Sequence, residues 1–146
     1  MAAMNERERE ALRAAFSARK NAYAPYSHFL VGAALLTKSG KLYTGCNVEN
    51  AAFTPTCCAE RAAFCKAIGE GEREFSLIAV LGGGAEEKRL DFCPPCGVCR
   101  QFMREFCADD FEILLGKGTE EGAAWETKTY TLAQLLPLSF GKNLLK

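Results

Sequence analysis

Two short stretches concentrate residue types that bind metal ions. Residues 56–61 read TCCAER, and residues 93–101 read CPPCGVCRQ. Cysteine thiolates are strong ligands for zinc, and a glutamate beside such a site can move protons to and from a substrate. The pattern therefore predicts either one metal site assembled from both stretches or a set of thiols that only pack.

The second stretch offers two overlapping pairs of thiols with C-x-x-C spacing, Cys93 with Cys96 and Cys96 with Cys99. Residues three apart share one face of a helix, and Pro94 and Pro95 suit the start of a helix but not its interior. The pair Cys96 and Cys99 is therefore favoured, at the beginning of a helix. The partial positive charge of a helix N-terminus lowers the pKa of thiols there and favours their thiolate forms.

The first stretch adds two adjacent thiols and a carboxylate. Glu60 follows Cys58 by two residues, so it does not share the helix face of that thiol but can reach a water on the metal, as a proton shuttle. Three protein ligands leave a fourth position on zinc for water, whereas a structural site is closed by four, for which Cys57 or Cys93 would serve. The single histidine, His28, excludes any site that needs two. An enzyme and a structural zinc module both remain open at this point.

The elements that must position these residues alternate between helix and strand. The predicted order is a helix at about 5–21, strands at 29–37 and 41–49, a helix at 58–69, a strand at 75–82, a helix from near 96, strands at 111–116 and 127–130, and a short helix at 132–137. The run Gly82–Gly84 is expected to open a loop, and without the Lys and Ser/Thr of a P-loop it predicts no nucleotide site. The pattern predicts an α/β fold in a single domain over residues 1–146.

The composition restricts the partners. Eighteen basic residues balance eighteen acidic ones, and no run of Lys and Arg exceeds two, so we expect a small substrate and no nucleic-acid partner. The first ten residues, MAAMNERERE, are charged, and no segment has 18 unbroken apolar residues, so no membrane partner is expected. A cytoplasmic location is the default prediction. Eight cysteines in a reducing compartment favour metal binding or burial over disulfides.

Five motifs in order resemble the small cytidine deaminases of nucleoside salvage that use only cysteine ligands. They read YAPYSHFLVGAAL, GCNVENAAF, CAER, PCGVCRQ and LLPLSFG, and they span residues 23–141. C-A-E followed by P-C-x-x-C also matches the signature of zinc-dependent nucleobase deaminases, in which the glutamate is the general acid and base. The resemblance implies an α/β/α sandwich with a five-stranded mixed sheet, one Zn2+ per subunit, and hydrolytic deamination of cytidine and 2′-deoxycytidine to uridine and 2′-deoxyuridine in pyrimidine salvage.

The resemblance also implies a role for individual residues at the metal. The implied ligands are Cys58, Cys96 and Cys99, and the implied proton shuttle is Glu60. Arg61 would donate to ligand sulfurs, because three thiolates around Zn2+ carry a net negative charge that a guanidinium offsets. The remaining cysteines are expected not to ligate: Cys57 lines the site, and the small buried ones are Cys46, Cys65, Cys93 and Cys107.

The substrate-binding residues that the resemblance implies are Phe29, Asn47, Glu49, Ala51, Phe53, Ala59 and Phe140. Phe29 would form a wall of the base pocket, the backbone at Cys58 and Ala59 would contact the reacting edge, and Asn47 and Glu49 would hold the ribose.

A homotetramer with shared active sites is also implied, in which Ala51, Phe53 and Phe140 serve a neighbour's pocket. Phe53 replaces a tyrosine of many relatives, and residues 117–124, KGTEEGAA, match no motif of the family and resemble a loop insertion. The alternatives are deamination of a nucleoside antibiotic, the nearer rival, and of cytosine in a polynucleotide, which would need a basic strand-binding surface.

Overall fold

A five-stranded mixed sheet forms the centre of the structure, a computed structural model that describes residues 3–119 and 124–145. The elements are α1 (Glu6–Arg19), β1 (Phe29–Thr37), β2 (Leu42–Cys46), α2 (Ala59–Gly69), β3 (Phe75–Gly84), α3 (Gly97–Phe106), β4 (Glu112–Lys117), β5 (Glu126–Thr131), α4 (Leu132–Leu135) and a 3-10 turn (Lys142–Leu144). The strand order is β2-β1-β3-β4-β5, with β3 and β4 parallel and the other neighbouring pairs antiparallel. The predicted α/β class and five-stranded mixed sheet are confirmed.

Two parts of the sequence-based predictions involve residues that the structure does not describe. Positions 1, 2, 120–123 and 146 of the predicted single domain lie outside the described residues, as does the centre of the segment 117–124. The single domain and the loop insertion therefore stay predictions.

Helices cover both faces of the sheet, because successive side chains of a strand point to opposite sides. On one face α1 buries Leu12 against Ala34 and Leu81. On the other face α2 and α3 bury Phe64 and Met103 against the alternate strand residues. This arrangement is the predicted α/β/α sandwich, and it places the helices that carry the cysteine motifs on the same face.

The glycine run Gly82–Gly84 does not open a loop, so that prediction was wrong. These residues form the end of β3 and pair with Val31, Leu30 and Phe29 of β1. Glycine suits these positions because the following segment packs closely over both faces of this strand end. A Cβ atom on Gly82 would lie 2.7 Å from the Sγ of Cys93, and one on Gly83 would lie 2.7 Å from a methyl group of Leu90.

The beginning of α2 packs directly onto β2 at Gly45. A Cβ atom there would lie 2.4 Å from the carbonyl oxygen of Ala59 and 2.6 Å from the amide nitrogen of Ala63. Only glycine permits this approach, which places the first turn of α2, with Cys58 and Glu60, beside the end of the sheet.

The longest helix within the described residues, α1, has 14 residues, whereas a helix that crosses a bilayer requires about 20 apolar residues. No helix within the described residues is long and apolar enough to span a membrane.

Candidate metal centre and substrate cavity

Three thiols from two helix N-termini form a cluster. Cys58 is the N-cap of α2, Cys96 is the N-cap of α3, and Cys99 lies in the first turn of α3. Their Sγ atoms all lie within 4.8 Å of one another, and those of Cys58 and Cys96 are 3.8 Å apart. A tetrahedral Zn2+ with Zn–S bonds of about 2.3 Å holds its sulfur ligands about 3.8 Å apart, so the donor set fits zinc. The predicted ligands therefore converge.

The electrostatic surroundings of the cluster favour thiolates. The Cys99 thiol donates to Cys58 and, with a further contribution from Arg61, lowers the pKa of Cys58 to about 5. The same hydrogen bond raises the pKa of Cys99, which retains the shared proton. Both helix N-termini add positive potential at the sulfur atoms. A cation that replaces the proton would therefore meet sulfur donors already prepared to carry negative charge.

Arg61 contacts the thiol cluster. Its Nη2 donates to the Sγ of Cys58 over 3.5 Å and to the carbonyl oxygen of Thr56 over 3.3 Å. The hydrogen bond to Cys58 raises the pKa of Arg61 above its usual value, so the guanidinium stays charged beside the thiols. Its positive charge offsets part of the negative charge that three thiolates bring.

Glu60 is a buried carboxylic acid next to the thiols. Its side chain lies in the first turn of α2, and the residue is 4% exposed. Burial disfavours the charged form and raises the pKa of Glu60 to about 7. A carboxyl group with such a pKa can accept and release protons near neutral pH.

A cavity of about 340 Å³ extends from the thiols toward the ends of β1 and β2. Its lining contains the predicted residues Phe29, Asn47, Glu49, Ala59 and Glu60, together with Cys58 and Cys96. The cavity is large enough for a small ligand. The structure thus brings together the thiol cluster, the buried acid and four of the predicted substrate positions.

Hydrogen bonds hold Asn47 and Glu49 in place. The Asn47 side chain accepts from the Val31 amide over 2.8 Å and donates to the Phe29 carbonyl oxygen over 2.8 Å. Glu49 accepts from the backbone amides of Tyr26 and Ser27 and from the Ser27 hydroxyl, a bond that lowers its pKa. Glu49 therefore presents a carboxylate, in a defined position, to the cavity.

Three predicted substrate positions do not line this cavity. Phe53 is 74% exposed and lines a neighbouring cavity of about 470 Å³, which also contacts Ser27 and Glu49. Ala51 is exposed in the loop that precedes α2. Phe140 is 58% exposed, and its carbonyl oxygen accepts from the Gln101 side chain over 3.0 Å.

Sequence reasoning missed five residues of the lining, Ser27, Val31, Thr56, Cys93 and Pro94. The period of two in β1 could have revealed Val31, since it must share a face with Phe29. Nothing in the local pattern marks Ser27, whose role depends on a contact with Glu49 across the fold.

The other cysteines have different surroundings. Cys57 and Cys93 line the cavity but are not members of the thiol cluster. Cys107 is buried as predicted, and Cys46 and Cys93 are half-buried. Cys65 is exposed, so its predicted burial was wrong: it lies on the side of α2 that faces away from the sheet, whereas its neighbour Phe64 is buried.

Comparison with known proteins agrees with this arrangement. Residues 5–115 match the family model for the cytidine and deoxycytidylate deaminase zinc-binding region. The chain is 45% identical over 126 residues to a cytidine deaminase of Sporosarcina psychrophila, covering 86% of this chain and 85% of that protein. It is 47% identical over 141 residues to a probable cytidine deaminase of Dictyostelium discoideum, covering 96% of this chain and 88% of that protein.

A solved structure shares the whole fold. The crystal structure of a cytidine deaminase from Burkholderia pseudomallei superposes with a TM-score of 0.79 at 40% sequence identity, covering 94% of this chain and all of that one. Fold and thiol cluster together define a zinc-binding deaminase domain. The chain belongs to the cytidine and deoxycytidylate deaminase family.

Proposed function

We propose that this protein hydrolytically deaminates free cytidine and 2′-deoxycytidine to uridine and 2′-deoxyuridine, with release of ammonia. The observation that carries the proposal is the buried carboxyl group of Glu60 beside three convergent thiols, next to a cavity of about 340 Å³. Membership of the deaminase family and the cytidine deaminases among its relatives support this reaction over a structural zinc module.

The proposed zinc ligands are Cys58, Cys96 and Cys99, one ion per subunit. Among the residues that the structure describes, the thiol cluster contains no fourth ligand, so a coordination position is left for the reaction. Zinc held by these three thiols would supply the Lewis acidity that the hydrolysis requires. Arg61 would keep Cys58 ionised and limit the negative charge around the ion.

Glu60 is the proposed proton shuttle. Its carboxylate would take a proton from the attacking water and deliver it to N3 of the cytosine ring as the new C–O bond forms. It would then move the proton of the added hydroxyl to the amino group, so that the C–N bond breaks, ammonia departs and the carbonyl group of uridine forms. The pKa of about 7 supports both directions of transfer near neutral pH. Backbone groups at Cys58 and Ala59 would orient the reacting edge of the base.

The cavity lining supports a nucleoside rather than a nucleotide. Phe29 would pack against the base, and Asn47 and Glu49 would bind the ribose hydroxyls. None of the described residues that line this cavity is Lys or Arg, whereas Glu49 holds a negative charge there. A phosphate group would be repelled by that charge and would find no cation to bind.

We further propose a homotetramer in the cytoplasm that serves pyrimidine salvage. Ala51, Phe53 and Phe140 would complete the pocket of a neighbouring subunit, as the sequence motifs imply. The exposure of Phe53 and Phe140 in the single chain supports this role, because exposed aromatic side chains are typical of interfaces.

The deciding experiment compares kcat/KM for cytidine, 2′-deoxycytidine, 2′,3′-dideoxycytidine and a short cytosine oligonucleotide. The first two should be good substrates. Loss of the 3′-hydroxyl removes the hydrogen bonds that it would make to Asn47 and Glu49, which costs about 1–3 kcal/mol, or roughly 5-fold to 150-fold in kcat/KM. Equal use of the dideoxy compound would contradict the ribose contacts. Preference for the oligonucleotide, or for a nucleoside antibiotic over cytidine, would contradict the proposed function.

A further inference from the structure

Arg19 is a buried arginine on the face of the sheet opposite the substrate cavity. It ends α1 and is 7% exposed. Its Nε donates to the carbonyl oxygen of Leu30 in β1, and its Nη2 donates to those of Gly83 and Gly84 in β3, each over 2.9 Å. One guanidinium therefore joins the ends of two neighbouring strands to a helix.

The acceptors of Arg19 belong to paired positions at one end of the β1–β3 ladder. Leu30 pairs with Gly83 and Phe29 pairs with Gly84 in the β1–β3 ladder. Hydrogen bonds from a charged donor are stronger than those between neutral groups, and the rigid fork of arginine fixes the relative positions of its acceptors. Arg19 thus holds the register of β1 against β3 at this end of the sheet.

The residues that alternate with these acceptors line the cavity. Phe29 and Val31 flank Leu30 in β1, so their side chains point to the other face, where both contact the cavity. The backbone groups of the same two residues also bind the Asn47 side chain. A shift of the β1 end would therefore move the base wall and the proposed ribose contact together.

The start of β1 has an uncommon backbone conformation close to the Arg19 contact. His28, the residue before the strand, has a φ of 58°, a conformation that is uncommon for residues other than glycine. Strained residues of this kind persist where surrounding contacts hold them. The hydrogen bond from Arg19 to Leu30 lies two residues beyond this point.

We propose that Arg19 is a positioning residue for the nucleoside pocket, which it acts on through the ends of β1 and β3. This inference rests on the proposed function. It differs from a purely structural role because it predicts a loss of substrate binding beyond what the lost stability explains.

The test compares Arg19→Met and Arg19→Lys with Leu12→Ala. Leu12 is fully buried in the same helix and does not line the cavity, so its truncation lowers the melting temperature without touching the strand ends. A displaced wall weakens the binding of ground state and transition state alike, which raises KM and spares kcat. For Arg19→Met we expect the KM for cytidine to rise about 10-fold, with kcat within about 3-fold of the parent.

The Kd for uridine, measured by calorimetry on zinc-loaded protein, should rise in parallel with KM. Arg19→Lys should recover part of the loss, because a single ammonium donates to some of the three acceptors but cannot reproduce the fork. If Arg19→Met does not fold, Arg19→Lys against Leu12→Ala provides the same comparison.

A KM and a uridine Kd for the Arg19 variants no higher than those of Leu12→Ala would overturn the positioning role and leave the proposed function intact. An inactive parent protein that nevertheless binds zinc would overturn the proposed function instead.

Discussion

The charge state of Glu60 and the charge states of the three thiols beside it influence each other. Three thiolates around Zn2+ carry a net charge of about −1, which opposes the formation of further negative charge at the ion. Arg61 and two helix N-termini place positive charge against the sulfur atoms. Burial raises the pKa of Glu60 to about 7. The proposed mechanism therefore separates metal binding, by the thiols, from proton transfer, by the carboxyl group.

Replacement of Glu60 tests this separation. Glu60→Gln keeps the size and hydrogen bonding of the side chain but removes the titratable proton, so kcat should fall by at least about 10²-fold. Zinc content should stay at the parent value, because the three thiols remain. Steady-state kinetics and metal analysis of the same sample measure both quantities. Glu105→Gln, an exposed change on α3, is the control and should leave both unchanged; near-normal turnover of Glu60→Gln would remove Glu60 from the mechanism.

The choice of ligands is tested by cysteine substitutions. Cys96→Ala and Cys99→Ala should each lower the zinc content and the melting temperature together, since bound metal stabilises the folded state. Cys57→Ala and Cys93→Ala are matched controls: both thiols line the cavity but lie outside the cluster. Atomic absorption and thermal unfolding report the two effects. A zinc loss in either control as large as in Cys96→Ala would indicate a four-thiol structural site.

At the scale of elements, the site forms where the N-termini of α2 and α3 meet at one end of the sheet. α2 and α3 pack on the same face of the sheet, and their N-caps supply Cys58 and Cys96. The distance between the two N-caps depends on how closely each helix approaches the strands. Gly45 sets that approach for α2.

Gly45→Ala, a substitution in β2, should therefore displace the first turn of α2 and disturb the metal site. The added methyl group would meet the Ala59 carbonyl oxygen at 2.4 Å, and backbone atoms cannot rotate away as a side chain does. Overpacking of this kind costs roughly 1–3 kcal/mol, or a few degrees of melting temperature per kcal/mol. We expect a lower melting temperature and a weaker zinc affinity, measured by competition with a chelator. Gly69→Ala, at a position with open space, is the control; equal zinc affinity in both variants would contradict the role of Gly45.

At the scale of the whole molecule, one chain leaves part of its apolar surface exposed near the cavity and the C-terminus. Phe53, Leu138 and Phe140 are 74%, 107% and 58% exposed. Large exposed apolar side chains close to a site commonly mark an interface. A cavity that is open on the side of Phe53 in one subunit would be closed by a neighbour in the proposed tetramer.

Assembly should consequently control activity. Diluting the protein until light scattering reports monomers should abolish cytidine turnover, while zinc, held by thiols of a single chain, should remain bound. Phe140→Ala should lower kcat/KM by about 10-fold or more, as expected when a buried aromatic contact at an interface is removed. Leu145→Ala, an exposed change in the same terminal segment, is the control. An active monomer would contradict the shared site and leave the zinc chemistry unaffected.

The sequence by itself determined the order of elements, the thiol pair at the beginning of α3 and the family. Helical spacing around Leu12 and the apolar run at 29–37 involve residues that are close together in the sequence, so local patterns reveal them. The convergence of Cys58 with Cys96 and Cys99 followed from the motifs, because their order and spacing resemble those of known deaminases. The same reasoning misplaced Gly82–Gly84 and Cys65.

Only the tertiary structure decided which residues meet across the fold. The glycine run became a strand because β1 pairs with it and the segment carrying Leu90 and Cys93 packs against it, a requirement that the glycines themselves do not express. In the sequence, Arg19 likewise looks like an ordinary arginine at the end of a helix. Only the folded structure shows that it donates hydrogen bonds to the carbonyl oxygens of Leu30 and Gly83. Hydrogen bonds between residues 11 and 64 positions apart depend on chain packing, and spacing along the sequence carries no signal for them.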